Sequence, residues 1–131
     1  MIEVRIPLQK TVMPVTPNKK MHHMTAYLRN KKLKAVITRA FLADRKDLQA
    51  REMLRMTQSG LFIQICYVRP RMLDTDNLVA CLKHARDVIA SILIPDKAAG
   101  QADGDIRLSW FCDQRQGIPR EYLLEITIYE R

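Results

Sequence analysis

Asp74 and Asp76 stand two residues apart in Arg69-Pro-Arg-Met-Leu-Asp-Thr-Asp-Asn77, where a β-rich run gives way to a helical pattern. One carboxylate there is accounted for by capping, because the first N–H groups of a helix lack partners and an Asp side chain accepts from them. Two carboxylates this close can also aim at one point and hold a hard divalent ion such as Mg²⁺ through oxygen. The D-x-D spacing alone does not choose between capping and metal binding. Further on, Lys83 and Asp87 each fall within roughly 20° of the direction of Asp76 around a helix axis, so the three share one stripe. The plain alternative is a solvated face with a Lys83/Asp87 pair at i,i+4, worth little in stability. A further acidic pair, Asp103 and Asp105, reads equally as a polar turn. If the strand after this loop lies beside the one before Asp74, the loop comes near Asp74 and Asp76 only if the two strands run antiparallel.

The elements that must position these groups follow from periodicity. Ile2, Val4, Ile6 and Leu8 alternate with charged or polar residues, the pattern of a half-buried strand. Pro14, Pro17 and Asn18 interrupt regular structure, and the segment through His23 reads as a loop carrying Lys19, Lys20, His22 and His23. From about Thr25 to Thr57, Leu33, Val36, Ile37, Ala40 and Phe41 have helical spacing, predicting one helix or two broken near Asp44 to Asp47. Leu61 to Val68 is a β-rich interior run ending at Arg69-Pro70. A second helix follows Asp76, buries Leu78, Leu82, Ala85, Ile89 and Ile92, and is closed by Pro95. Its apolar stripe lies about 200° from the Asp-Lys-Asp line, which is thereby turned outward. Ile106, Leu108 and Trp110 alternate as a third strand, and Tyr122 to Tyr129 as a fourth. The order β-α-β-α-β-β predicts an α+β fold: one mixed sheet with two main helices packed on it, in a single domain spanning 1–131.

Composition narrows the class. The 131 residues are 47% hydrophobic and 27% charged, enough apolar content for a core and far from disordered compositions. No run is apolar enough to span a membrane and the N-terminus lacks a secretory leader's apolar stretch, so a cytoplasmic location is expected. Cys66, Cys81 and Cys112 form no C-x-x-C pair, which argues against a disulfide framework or a Cys-rich zinc site. The net charge of +8 is unevenly placed: residues 1–60 hold 13 Lys+Arg against 4 Asp+Glu, and residues 61–131 hold 9 against 10. The basic half suits a polyanion, while the second half keeps its carboxylates.

The run Asp74-Thr-Asp-Asn-Leu78, with Lys83 and Asp87 on the following helix and the acidic loop at Asp103, resembles the RusA family of Holliday junction resolvases, small phage and prophage endonucleases. The basic Pro-x-x-Pro-Asn-Lys-Lys-Met-His loop, the basic first helix, and Arg69 and Arg71 ahead of the acidic pair resemble it too. The likeness covers most of the chain in order and spacing, and its most specific part is D-x-D-N-L with the downstream Lys and Asp. It implies a Mg²⁺-dependent homodimeric nuclease, encoded by a phage or prophage in a bacterial host, that cuts four-way DNA junctions in recombination and repair. Mn²⁺ is the expected substitute metal, with no small-molecule cofactor.

Carried over residue by residue, Asp74 and Asp76 match the metal-binding pair, Asn77 its adjoining Asn, Lys83 the catalytic Lys, Asp87 the helix acid and Asp103 the acid of the late loop. Two departures stand out. Lys83 lies seven residues after the second Asp where the family has four, about one helical turn, and Ala102 stands where a second late acid is usual. Asp87 and Asp105 are further candidate metal ligands. The implied chemistry is phosphodiester hydrolysis in which carboxylate-bound metal lowers the pKa of water and Lys83 neutralises charge on the phosphate or leaving oxygen. Lys19, Lys20, Lys31, Lys32, Lys34, Arg69 and Arg71 are the expected phosphate contacts. Two competing readings remain: a DNA-binding protein without activity, and a metal nuclease for flaps or RNA. His22 and His23 read as surface or DNA-contacting residues before general bases.

Overall fold

In the computed structural model of the chain, which describes residues 1–9, 12–15, 22–98 and 100–131, the opening alternation forms β1 (Ile2–Pro7). Ile2, Val4 and Ile6 are buried and Glu3 and Arg5 exposed, as period two requires when one face meets a core. The basic helical region then splits into α1 (His23–Leu42) and α2 (Lys46–Met56). Between them Asp44 and Arg45 take left-handed φ values of 56° and 53°, which breaks the helix inside the predicted Asp44 to Asp47 segment. Leu33, Ile37 and Phe41, four residues apart, give α1 one buried line, and Ala50 and Leu54 do the same for α2. His22 caps α1, its Nδ1 accepting from the Met24 N–H at 3.2 Å.

β2 (Leu61–Arg69) is the most buried strand, and α3 (Thr75–Leu93) buries Leu78, Leu82, Ala85, Ile89 and Ile92 as the apolar stripe predicts. β3 (Leu108–Gln116) and β4 (Leu123–Glu130) complete the fold. Ile106, read as part of the third strand, lies ahead of it and is 89% exposed, because the Asp105 to Arg107 turn delays the strand until Leu108. The sheet order is β1-β4-β2-β3, and the protein is α+β with one mixed four-stranded sheet.

Two pairings decide where the candidate site residues go. β4 lies antiparallel to both β1 and β2, with Ile63 opposite Ile128 and Ile65 opposite Ile126 at the centre of the core. β3 lies parallel to β2, joined to it through α3, with Leu61 opposite Leu108 and Arg69 opposite Gln116. A parallel neighbour needs a long crossover, and the 38 residues between the strands supply one. The loop after β3 then passes the end of β2 to reach β4, and Gly117 packs there against Val68 and Glu121. All three helices sit on the side of Ile63, Ile65 and Tyr67, forming one hydrophobic core with the sheet. Among the described residues, no helix is long and apolar enough to cross a membrane.

Candidate active site

Asp74 is the N-cap of α3: it has extended backbone, and its Oδ1 accepts from the Asn77 N–H at 3.0 Å. Capping therefore uses one oxygen and leaves the other open. Asp76 lies in the first turn and is exposed. Neither carboxylate has a cationic partner within ion-pair distance among the described residues. Two exposed carboxylates at the start of a 19-residue helix are a donor set suited to Mg²⁺, which keeps most of its waters and takes one or two carboxylates plus substrate phosphate. The loop ahead of the pair is tied down by β3. Gln114 receives the Leu73 N–H at 2.9 Å and donates to the Leu73 carbonyl at 2.6 Å, and Gln116 donates to the Pro70 carbonyl at 3.1 Å. Arg69 is half-buried with its guanidinium over the Tyr67 ring at 5.4 Å, and its buried Nε has no hydrogen-bond partner among the described residues; Arg71 is exposed.

The late acidic loop lies elsewhere. Since β3 runs parallel to β2, the segment before β3 is at the start of β2, whereas Asp74 follows its end. Asp103 meets α3 at Arg86, with Oδ2 at 3.4 Å from Nε. Arg86 is ten residues past Asp76, about 15 Å along the axis. The expectation that Asp74, Asp76 and Asp103 share one metal depends on antiparallel strands, and within one chain the parallel pairing does not bring them together. Consistently, no group of three or more His, Cys, Asp or Glu placed to hold a metal occurs among the described residues.

Asp105 is a structural residue here. Its buried carboxylate takes Lys97 Nζ at 2.8 Å, Arg107 Nε at 3.0 Å and the Arg107 N–H at 2.9 Å. The hydrogen bonds from Arg107 and Lys97 hold its carboxyl well below the usual carboxylate range. A group so fully engaged is poorly placed to serve as a metal ligand. Asp87 behaves oppositely: burial, then Asp103 beside it, push its carboxyl up, with Lys83 at 3.7 Å pulling the other way. Lys83 is exposed and paired with Asp87, two turns from Asp76, on the outward stripe that the helical geometry predicts.

The basic surface divides along α1. Lys31 and Lys34 line a broad groove of about 900 Å³ with Tyr27, Asn30, Arg39 and His84, while Lys32 lies on another flank beside Arg29. A smaller recess of about 350 Å³ shares Asn30 and His84 with that groove and continues to Lys83 and Asp87. The first helix's lysines thus lead across the α1/α3 seam to the catalytic-lysine candidate. Lys19 and Lys20 lie outside the described residues. His22 serves as a cap, and its ring lies against His23 at 4.4 Å.

His84, Arg86 and Gln114 carry roles that residue type and spacing do not announce. His84 Nε2 donates to the Asn30 carbonyl at 2.8 Å, which fixes its tautomer and ties α3 to α1. Arg86 stacks over Trp110 at 5.3 Å while meeting Asp103, and Trp110 Nε1 donates to the Asp103 carbonyl at 2.9 Å. The signal for Gln114 is its place in line with Leu108, Trp110 and Cys112 on the inward side of β3. No protein-family model matches the chain. No curated protein matches it either.

Proposed function

We propose that the chain is a Mg²⁺-dependent endodeoxyribonuclease for branched DNA of the four-way junction class, acting as a homodimer in the manner the RusA resemblance implies. The observation that carries this reading is the asymmetry among the acids. Asp87, Asp103 and Asp105 each have a cation beside them, while Asp74 and Asp76, at the N-terminus of α3, have none among the described residues. A bound metal there would supply a polarised water and a contact to the scissile phosphate. Asp74 and Asp76 would hold it, and Asp74 would do so while still capping α3 through Oδ1.

The other groups act through position and charge. Lys83 stands seven residues, about 10 Å of axis, beyond Asp76, and helical side chains lean toward the N-terminus. Released from Asp87, its ammonium would meet a phosphate that extends from the acidic pair along α3. Lys31, Lys34 and Arg39 would hold the adjoining backbone in the groove that ends at Lys83. Arg71, exposed just before the pair, would take the strand on the other side. A C2 dimer would set two such sites against the two opposed strands of a junction.

The engagement of Asp103 by Arg86 and of Asp105 by Lys97 and Arg107 favours a second reading, a junction-binding protein without cleavage. A 5′-labelled synthetic junction incubated with and without Mg²⁺ separates them. Discrete metal-dependent nicks near the crossover support the nuclease, and tight binding without nicks at any Mg²⁺ or Mn²⁺ concentration supports the binding protein. Better cleavage of flaps or RNA would move the substrate assignment away from junctions.

A further inference from the structure

α1 carries no Asp or Glu in its 20 residues and holds Arg29, Lys31, Lys32, Lys34 and Arg39. Tyr27, Lys31, Lys34, Thr38 and Leu42 follow one another at spacings of three and four, so they form one stripe of α1, apart from the buried line of Leu33, Ile37 and Phe41. This stripe lines the groove of about 900 Å³, whose other wall is His84 of α3, held by its hydrogen bond to the Asn30 carbonyl. Tyr27 stands at one end of the stripe and is 59% exposed. Its ring pairs with no other ring and no cation among the described residues.

The lining selects the occupant. Lys31, Lys34 and Arg39 are exposed and without an ion pair among the described residues, and no carboxylate lines the groove. The acid of the adjoining recess, Asp87, lies 3.7 Å from the Lys83 ammonium. A groove of three bases and no acid takes a polyanion. Duplex DNA keeps its base faces stacked inside, so it offers the Tyr27 ring nothing to stack on. A single strand offers phosphates to the bases and a free base face to the ring, the combination by which aromatic residues in basic grooves hold single strands. An acidic amphipathic helix of a partner protein would need a continuous apolar stripe, and between Tyr27 and Leu42 this stripe is Lys31, Lys34 and Thr38.

We propose that the α1 groove binds single-stranded DNA, with Tyr27 stacked on an unpaired base and Lys31, Lys34 and Arg39 on the phosphates. The inference rests on the reading of this groove as the path of the DNA and deepens it. The strand held there is one whose base has left its pair, as at the crossover of a branched substrate, and Tyr27 is the residue that distinguishes such a strand from plain duplex. Tyr27 to Leu42 spans fifteen residues, about 22 Å of helix axis, enough for a run of several nucleotides. Because binding needs neither metal nor cleavage, it is tested apart from the nuclease activity.

Fluorescence anisotropy with labelled oligo-dT and a blunt duplex of equal length, without divalent metal and across a salt series, measures it. Tyr27→Ala is expected to weaken oligo-dT binding about tenfold, to leave duplex binding within about twofold of wild type, and to leave the slope of log K against log salt unchanged, because stacking releases no counterions. Tyr27→Phe, which keeps the ring, should bind oligo-dT within about twofold of wild type. Far-UV circular dichroism should be unchanged in both variants, since the side chain is exposed. Wild-type oligo-dT affinity in Tyr27→Ala would overturn the proposal, as would equal weakening of duplex binding, or a wild-type chain that does not bind oligo-dT at about 100 µM. Tyr27-dependent binding of a labelled Leu/Glu amphipathic peptide, with oligo-dT binding indifferent to Tyr27, would overturn it in favour of a protein partner. Tyr27-dependent oligo-dT binding by a chain that nicks no junction would support the proposal and count against the nuclease reading alone.

Discussion

Asp76 and Asp103 meet α3 about 15 Å apart, Asp76 in its first turn and Asp103 against Arg86 in its second half. The separation is a consequence of strand direction. A parallel β3 starts where β2 starts, so whatever precedes it lies at the opposite end of the strands from whatever follows β2. The two acidic segments therefore do different work in one chain. The first turn of α3 holds carboxylates without an ion pair among the described residues, and its second half meets a network of Arg86, Asp87, Asp103 and Trp110.

Asp105 should report its clamp through acid stability. Its carboxyl is held below the usual range, so the ionised form stabilises the fold above about pH 4 and that contribution is lost as pH falls toward the lowered folded-state value. Asp105→Asn should cost about 2 kcal/mol at pH 7. Urea unfolding from pH 7 down to about pH 2 should show a flatter acid limb in the variant than in wild type.

Asp87 should show the opposite sign. Burial and Asp103 raise its carboxyl, so the fold favours the protonated form, and the penalty of ionising it builds as pH rises from about 4 through the raised value. Asp87→Asn at pH 7 should be as stable as wild type or more stable by up to about 1 kcal/mol, despite losing the exposed Lys83 pair. At about pH 3 the two should converge. The same urea series measures this.

Gly60 is required by its place before β2. Its φ is +99°, and a Cβ would collide with the Arg107 carbonyl oxygen, which itself accepts the Leu61 N–H at 2.7 Å. Gly60→Ala should cost about 1 to 3 kcal/mol, read as a lower thermal midpoint. Asp105 and Arg107 lie in the same turn, so loosening here should also lower protection of the β2 and β3 amides in hydrogen exchange.

Lys31 and Lys34 share the groove that leads to Lys83 and carry no ion pair among the described residues. Replacing both by Ala should weaken junction binding and reduce the slope of log K against log salt by roughly 2. Lys32→Ala, on the other flank, should have the smaller effect if the groove is the path of the strand. Filter binding or fluorescence anisotropy across a salt series measures both.

Periodicity made most of the fold legible. Ile2-Val4-Ile6 and the Leu78-Leu82-Ala85-Ile89-Ile92 stripe are patterns that only one element type can bury, and both are buried as read. The helix break at Asp44 and Arg45 is marked by a polar cluster, though two consecutive non-glycine residues with positive φ could not be foreseen from residue type. Capping by Asp74 follows from its place before Thr75, and the outward Lys83 follows from the angle to Leu78. Strand direction did not follow, because the alternation of Leu108 and Trp110 suits a parallel and an antiparallel neighbour equally. That one unknown decides whether Asp103 can join Asp74. The roles of His84 and Gln114 depend on partners 54 and 41 residues away, a separation no local pattern encodes.

The most direct measurement is a paired one on Asp76→Asn with a labelled four-way junction: affinity by gel shift in Ca²⁺, and nicking on addition of Mg²⁺. If Asp74 and Asp76 hold the metal while the basic groove holds DNA, the variant binds within about threefold of wild type and loses cleavage by a factor of about a hundred or more. Wild-type nicking by Asp76→Asn, or loss of binding and cleavage together in a normally folded variant, would contradict that division.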